Sequence, residues 1–305
     1  MITSVRQNIF DGYYEKELFK HLDSIWKKLF NIYPQLPFTK IFNIEKIDTT
    51  PQEKDFLLKT NIDYTICDKN DKPLICVEFD GLSKGYNKGA QYVQINPDPS
   101  RKKKMDLKLK IADKLNFPFY IVSYDEKEYL IEKIYLTILD GIIGQTIAKI
   151  KFEEKIKELL ADSSELLNSL TEYDKQDFIQ DIVLQAEVEL ELTYDPIAKK
   201  AAELEGILLQ HKIINGYSTM FLSKPELPEI KDTLDFKGLE KCIKAWNDIK
   251  WYGCRVSVNT PKGVVCREAW MRNFECKFIS PLSIVQNISE LLAFYSAAIV
   301  HEIKV

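Results

Sequence analysis

The stretch Asn61–Gly81, NIDYTICDKNDKPLICVEFDG, decides how the first part of the chain folds. Its apolar residues predict two strands, Phe56–Cys67 and Leu74–Phe79, around a turn-forming segment that Pro73 closes. Acidic residues interrupt both apolar runs near one end of this predicted β-hairpin. The spacing of those acids determines which of them share one face of the hairpin.

The predicted hairpin places three acids on one face. A turn centred between Asn70 and Asp71 makes Asp63 face Glu78, and side chains alternate along a strand with a period of two. Asp63, Glu78 and Asp80 then share a face, and the Cβ atoms of facing residues are about 4.5–5.5 Å apart. Carboxylates at that separation repel each other unless a positive charge lies between them.

This spacing favours a site for a divalent cation. Mg²⁺ typically takes one or two protein carboxylates and completes its octahedron with water and phosphate oxygens. A single acid would more simply end a strand or flank a turn, as Asp68 and Asp71 are expected to do. Because three acids share one face beside an E-F-D-G strand end, we favour the metal site.

A basic helix follows the hairpin. Arg101–Asn116 is predicted to be helical and to lead into the buried strand FYIVSYD, so that strand, helix and strand form a βαβ unit. Residues 101–114 hold seven basic residues against two acids. At about 100° per residue, Lys104 and Lys108 fall within the apolar arc of the helix. A lysine there either snorkels to solvent or reaches a buried acid.

The residues before the hairpin predict a helix and a strand. Residues 11–30 carry apolar side chains at three- and four-residue steps, which predicts an amphipathic helix with Asp11 as its N-cap. Glu15 lies in the first turn, where it either stabilises the helix dipole or serves a site. Phe38–Ile44 shows the short apolar alternation of a strand.

The composition is that of a soluble protein of one large domain or two, with 305 residues, 45% hydrophobic and 29% charged. A net charge of −4 argues against a surface covered with nucleic-acid-binding charge. The six cysteines form no C-x-x-C pair, so buried thiols are expected rather than a zinc or redox site. A secretory signal and a long apolar run are both missing from the sequence, which predicts a cytoplasmic protein without a membrane segment.

Residues 131–305 predict a mainly helical region with a small β-hairpin. Glu153–Glu191 holds twelve acids and three lysines, which favours packing or a partner, although a simply solvated surface explains the charge equally well. Trp246–Phe278 interleaves aromatic and basic residues, which either stack on bases or form the core of a small subdomain. The apolar helix that begins at Ser280 is expected to be buried in a core or in a homodimer seam.

These residues together resemble the PD-(D/E)XK nuclease superfamily, which has the restriction-endonuclease-like fold. The matching features are Glu15 on a first helix, Asp63 near the end of a strand, Glu78-Phe79-Asp80-Gly81 at the end of the next, and Lys108 on the following helix. The resemblance covers roughly residues 10–125, and the E-x-D-G strand end is similar to that of a small bacterial branch. This chain has Asp80 where the superfamily pattern has a lysine, and in that branch a basic residue of the following helix takes the place of that lysine.

The resemblance implies a fold and a division of the chain. It implies an α/β fold in which a mixed sheet is flanked by helices, within a nuclease-like domain of residues 1–130. Residues 131–305 would then serve recognition or assembly, with a homodimer formed through this C-terminal region.

The resemblance also implies the roles of the site residues. Asp63, Glu78 and the backbone carbonyl of Phe79 would bind Mg²⁺, for which Mn²⁺ can substitute, and Asp80 is an additional candidate ligand. Lys108 would hold the attacking water or stabilise negative charge on the phosphoryl oxygens, and Glu15 would support the site from its helix.

The expected function is Mg²⁺-dependent hydrolysis of phosphodiester bonds, with DNA as the expected substrate and a role in restriction or another defence. The residues expected to contact the phosphate backbone are Arg101, Lys102, Lys103 and Lys104. Two alternatives belong to other classes of protein. One is a non-catalytic nucleic-acid-binding or scaffold protein with the same fold, and the other is a structural interaction protein that binds no metal.

Overall fold

The computed structural model describes residues 12–80, 83–86, 92–94, 99–122, 128–225, 249–272 and 277–304. The described residues fall into two compact units, one that ends at Val122 and one that begins at Glu128. Asp11, which was predicted to cap the first helix, lies outside the described residues, and Gly12 is the N-cap.

The first unit is a mixed sheet with helices around it, which confirms the predicted α/β fold class. In chain order its elements are α1 (Tyr13–Trp26), β1 (Asn31–Pro37), α2 (Phe38–Ile41), α3 (Pro51–Leu58), β2 (Asn61–Cys67), β3 (Pro73–Phe79), β4 (Ser83–Tyr86), β5 (Tyr92–Gln94), α4 (Pro99–Lys114) and β6 (Phe119–Val122). Four strands form the main sheet in the order β1-β2-β3-β6. The pairs β1–β2 and β2–β3 are antiparallel, whereas β3 and β6 are parallel, as the predicted βαβ unit requires.

The β2–β3 hairpin has the predicted register over its central part. The facing pairs there are Tyr64 with Val77, Thr65 with Cys76 and Ile66 with Ile75. The Asp68 side chain accepts hydrogen bonds from the backbone N–H groups of Asn70 and Lys72, both at 2.9 Å, and so closes the turn. Asp71 has a positive φ of 62°, and Asn31 and Tyr33 of β1 both donate to its carboxylate.

The basic helix α4 packs on the sheet through its apolar side. Met105, Ile111 and Ala112 are buried in the same hydrophobic cluster as Phe119 and Ile121 of β6. Because Cys76 and Glu78 of β3 lie beside Phe119 and Ile121 in the parallel pair, α4 covers the side of the sheet to which Glu78 belongs.

Two strand predictions and one helix length were wrong. Phe38–Ile41 is the short helix α2, and the strand precedes it at Asn31–Pro37, where the edge position of β1 tolerates two prolines. The strand predicted from Phe56 begins only at Asn61, because the helix α3 runs to Leu58. Thr50 and Glu53 form a capping box at the start of that helix. The first helix ends at Trp26 and does not continue to Phe30.

The second unit combines helices with a three-stranded sheet. Its elements are β7 (Tyr129–Ile131), β8 (Leu136–Thr137), α5 (Ile138–Asp162), α6 (Ser164–Ser169), α7 (Glu172–Tyr194), α8 (Pro196–Gln210), β9 (Tyr217–Pro225), β10 (Ile249–Thr260), β11 (Gly263–Arg272) and α9 (Pro281–Val300). The predicted hairpin is the pair β10–β11, and β9 adds a third strand that the sequence did not predict.

Helix α9 covers one face of this sheet. Cys254, Val256 and Val258 of β10 are buried on that face, and the hydroxyl of Ser289 in α9 donates to the carbonyl of Cys254 at 2.7 Å. The helix is long and apolar enough to cross a membrane by length and composition alone, and 56% of its most apolar window is buried inside the protein. Burial in a core is one of the two predicted alternatives for this helix, and the homodimer seam stays a prediction.

A buried carboxylate joins α7, α8 and α9. One oxygen of Asp195 accepts from the backbone N–H groups of Ile197 and Ala198 and caps α8, and the other accepts from the Asn287 amide at 3.1 Å. The same amide donates to Glu191 at 2.7 Å. Burial raises the pKa of Asp195 to about 7, although its hydrogen bonds favour the charged form.

This raised pKa predicts that the second unit becomes less stable as the pH rises. Between the unfolded pKa of Asp, about 3.9, and about 7, folded Asp195 binds more protons than the unfolded chain does, so the free energy of unfolding falls with rising pH. We expect a loss on the order of 4 kcal/mol between pH 4 and pH 8, at about 1.4 kcal/mol per pKa unit. Urea denaturation across that range measures it.

The Asp195→Asn variant is the matched control for this pH dependence. Asparagine keeps an acceptor for the α8 cap but carries no titrating proton. Its stability should change less between pH 4 and pH 8 than that of the unsubstituted protein. Equal pH dependence in both proteins would contradict the assignment to Asp195.

Candidate active site

The ends of β2 and β3 bring acidic side chains to one region of the first unit. Glu78 precedes the last residue of β3 and is 3% exposed, and Asp80 directly follows that strand and is fully buried. Asp63 of β2 is partly buried. Carboxylates are rarely so buried without partners, so the contacts of each one identify its role.

Lys108 is the lysine that reaches these acids. Its ammonium group donates to Glu78 Oε1 at 2.5 Å and to the carbonyl of Asn61 at 2.9 Å. Only 3% of Lys108 is exposed, so both members of the ion pair are shielded from water. Lys104, the other lysine predicted to point inward, is exposed, and its ammonium lies 5.6 Å from the ring centroid of Phe56.

Asp63 is held by two donors from neighbouring strands. Its Oδ2 atom accepts from the backbone N–H of Phe79 at 2.9 Å, and its Oδ1 atom accepts from the Gln35 amide at 3.1 Å. Gln35 lies opposite Asp63 between the paired residues of β1 and β2, with a positive φ of 53°. These hydrogen bonds fix the carboxylate next to Glu78.

Burial raises the pKa of both carboxyl groups. For Glu78 burial is the largest cause and the charge of Asp63 adds to it, while Lys108 opposes the rise. For Asp63 burial is again the largest cause, and the Phe79 hydrogen bond and the charge of Lys108 oppose it. The charge of Arg101 also favours the ionised form of both groups. The site therefore stabilises added positive charge.

Asp80 has a different partner from the other two acids. Arg101, near the start of α4, donates from Nε to Asp80 Oδ2 at 3.1 Å, and its Nη2 atom lies 3.0 Å from Oδ1. This is a bidentate ion pair, the strongest arrangement of arginine with a carboxylate. The Arg101 side chain is 39% exposed although its partner is fully buried.

The oxygen donors present suit Mg²⁺ better than a softer metal. Among the described residues, Asp, Glu, His and Cys side chains form no group of three that would hold a metal. Two adjacent carboxylates, Asp63 and Glu78, remain, and Mg²⁺ commonly takes one or two. Burial disfavours the negative charge of both carboxylates, so a cation between them would be stabilised. In this structure the Lys108 ammonium group provides the positive charge beside Glu78. The donor chemistry of these two carboxylates is of the kind that Mg²⁺ takes.

The other predicted site residues lie on the helices α1 and α4. The backbone carbonyl of Glu15 accepts a hydrogen bond from the Tyr64 hydroxyl at 2.6 Å, and a role for its carboxylate stays a prediction. Lys102 and Lys103 are exposed on α4, and Lys102 pairs with Asp106 at 2.6 Å. With Lys104 they form an exposed basic surface at the start of α4.

Sequence reasoning missed two contacts of the site. Gln35 lies between Pro34 and Pro37, and no sequence pattern points to its hydrogen bond with Asp63. Arg101 was one of four consecutive basic residues, Arg101–Lys104, and the sequence alone does not separate them. The available signal was the spacing between Arg101 and Lys108. Residues seven apart share a helix face, so Arg101 could have been expected on the same side of α4 as Lys108.

Comparisons of this chain with models of protein families, with curated proteins and with solved structures found no match.

Proposed function

We propose that this protein is a Mg²⁺-dependent nuclease that hydrolyses phosphodiester bonds, with DNA as its substrate and with a role in restriction or another defence. The supporting observation is the buried cluster of Asp63, Glu78 and Lys108, where two acids and one base converge at the ends of neighbouring strands. Mn²⁺ is expected to substitute for Mg²⁺.

The two acids and the backbone around them would hold the metal. Asp63 and Glu78 are the ligands that we propose, together with the carbonyl of Phe79. A bound Mg²⁺ would act as a Lewis acid on a phosphoryl oxygen and would lower the pKa of a bound water. The hydrogen bonds from Gln35 and Phe79 hold Asp63 in place before any substrate arrives.

Lys108 would serve the reacting phosphate. In hydrolysis a water oxygen forms a bond to phosphorus, the bond from phosphorus to the leaving sugar oxygen breaks, and that oxygen takes a proton. The Lys108 ammonium would hold the attacking water or stabilise charge on the phosphoryl oxygens. The exposed residues Lys102, Lys103 and Lys104 would contact backbone phosphates farther along the strand.

Cleavage of plasmid DNA, single-stranded DNA and RNA tests this proposal. With Mg²⁺ present we expect cleavage by the unsubstituted protein, and a loss of at least roughly a hundredfold in Asp63→Ala and Glu78→Ala, because metal catalysis contributes several kcal/mol. Glu45→Ala is the matched control, since Glu45 is an exposed acid of the same unit that pairs with Lys54. Equal cleavage by the unsubstituted protein and both site variants would reject the proposal.

One observation also favours a second function. The Lys108–Glu78 ion pair is almost fully buried, which also suits a structural pair in a non-catalytic nucleic-acid-binding or scaffold protein. A structural pair predicts that Mg²⁺ leaves the thermal midpoint unchanged. A metal site predicts that millimolar Mg²⁺ or Mn²⁺ raises it, because a ligand that binds only the folded state stabilises that state.

A further inference from the structure

We propose that Asp80 is a positioning residue for Arg101 rather than a metal ligand, and that Arg101 binds a phosphate group of the nucleic-acid substrate beside Asp63 and Glu78. This inference rests on the proposed function. It assigns the E-x-D-G aspartate of this chain a role that the resemblance leaves open.

The contacts of Asp80 carry the first step. Both of its carboxylate oxygens are engaged by the guanidinium of Arg101, Oδ2 by Nε and Oδ1 by Nη2. A metal ion at Asp80 would have to displace this bidentate pair inside a fully buried setting. Removing the arginine would leave a buried charge unpaired, which costs several kcal/mol. Asp63 accepts instead from a neutral backbone N–H and a neutral amide, and Lys108 binds Glu78 through Oε1, so a metal ion there would displace no bidentate guanidinium. Asp63 and Glu78 are therefore the better ligands.

The positions of the two ion pairs carry the second step. Arg101 and Lys108 lie seven residues apart on one face of α4, and their partners Asp80 and Glu78 lie two residues apart on one side of β3. The backbone N–H of Asp80 donates to the carbonyl of Val122 at 2.9 Å, which fixes the end of the strand. Both ion pairs therefore lie on the side of the sheet that α4 covers.

The chemistry of the guanidinium carries the third step. Arginine presents its donors in a planar fork that matches the oxygens of a phosphate, and the Nε and Nη2 atoms of Arg101 bind Asp80. The side chain is 39% exposed, so it is accessible from solvent. A guanidinium held rigid on one side loses little conformational freedom when it binds a phosphate on another.

Two binding measurements and one rate measurement test this inference on the full chain. Mn²⁺ affinity is measured by calorimetry, affinity for a labelled DNA by fluorescence anisotropy in Ca²⁺, and cleavage in Mg²⁺. We expect Asp80→Asn to keep Mn²⁺ affinity within about twofold, whereas Asp63→Asn and Glu78→Gln lose at least about tenfold. Asp80→Asn and Arg101→Gln should each weaken DNA binding and cleavage by roughly tenfold, about 1.4 kcal/mol.

The double variant Asp80→Asn/Arg101→Gln distinguishes positioning from independent action. It should be no worse than Arg101→Gln alone, because residues that act through one contact are not additive. Because the double variant removes both charges, it leaves no buried charge unpaired and is expected to fold even if a single variant does not. Arg101→Lys should recover part of the DNA affinity. Lys27→Gln, the loss of an exposed charge at the C-cap of α1 that pairs with Asp23, should change DNA affinity by no more than about twofold.

The possible outcomes separate this inference from the proposed function. A loss of Mn²⁺ binding in Asp80→Asn as large as that in Asp63→Asn would overturn the inference and leave the nuclease proposal intact. Fully additive losses in the double variant would overturn it as well. If Asp63→Asn and Glu78→Gln bind Mn²⁺ and cleave DNA like the unsubstituted protein, the proposed function fails and the inference falls with it.

Discussion

Replacing Lys108 with methionine is expected to destabilise the first unit by about 3–5 kcal/mol at pH 9, because it removes one partner of a buried ion pair. Glu78 would then be buried with the charge of Asp63 nearby and without its ammonium partner. Methionine is close to lysine in size, so packing changes little. Urea denaturation followed by tryptophan fluorescence measures the loss.

The loss in Lys108→Met should shrink as the pH falls. Without the ammonium group, the pKa of Glu78 in the folded state lies still farther above the unfolded value of about 4.3. Glu78 of the unsubstituted protein already has a pKa raised to about 8, so both proteins lose stability in parallel as the pH rises towards 8. Above that pH the stability of the unsubstituted protein levels off while that of the variant continues to fall, so the variant should be closer to the unsubstituted protein at about pH 7 than at about pH 9.

Lys102→Met is the matched control for this variant. Lys102 lies on the same helix, but its ion pair with Asp106 is exposed. Exposed pairs contribute about 0–1 kcal/mol, so the control should change stability little at either pH. If both variants lose the same small amount, the Lys108–Glu78 pair does not stabilise the first unit as argued.

Replacing Gly144 with alanine is expected to destabilise the second unit by about 3 kcal/mol or more, at the upper end of overpacking effects. A Cβ atom at Gly144 of α5 would lie 2.5 Å from the carbonyl oxygen of Tyr194 and 2.6 Å from the Cα of Asp195. Both neighbours are backbone atoms, so no side-chain rotation relieves the contact. The thermal midpoint of unfolding measures the loss.

Gly206→Ala supplies the control for Gly144→Ala. Gly206 also lies within a helix of the second unit, α8, but a Cβ there would meet no atom within 4 Å. Alanine should raise stability by about 0.5–1 kcal/mol, because glycine inside a helix loses more conformational freedom on folding. Two variants with the same chemical change should thus shift stability in opposite directions. A shared sign would contradict the close approach of α5 to the α7–α8 junction.

The fold was predictable where local pattern and tertiary packing agree. The β2–β3 hairpin, the parallel strand β6 and the helix α4 follow from alternation, turn residues and helical spacing, all of which are local. Two edge strands were missed for physical reasons. β1 contains two prolines, which only an edge strand accepts. β9 is exposed along most of its length, so it has no buried side to create alternation.

The site was predictable as a cluster of acids and one lysine, but its pairing was not. Helical spacing indicated that Lys104 and Lys108 both point inward, and only tertiary packing brings Lys108 to Glu78 while Lys104 stays at the surface. The partner of Asp80 depends on where α4 begins relative to β3. That relation is set by residues far apart in the sequence, so no local pattern contains it.

The turn at Asp68–Lys72 has a consequence for insertions and deletions. It fixes which side of the sheet every residue of β2 and β3 faces, although it lies at the opposite end of the hairpin from the acids. A one-residue change of loop length that shifted the pairing would turn Asp63 away from α4 and bring Tyr64 to its place. Homologous sequences with a hairpin loop of different length should therefore keep the acids only when the length differs by an even number of residues.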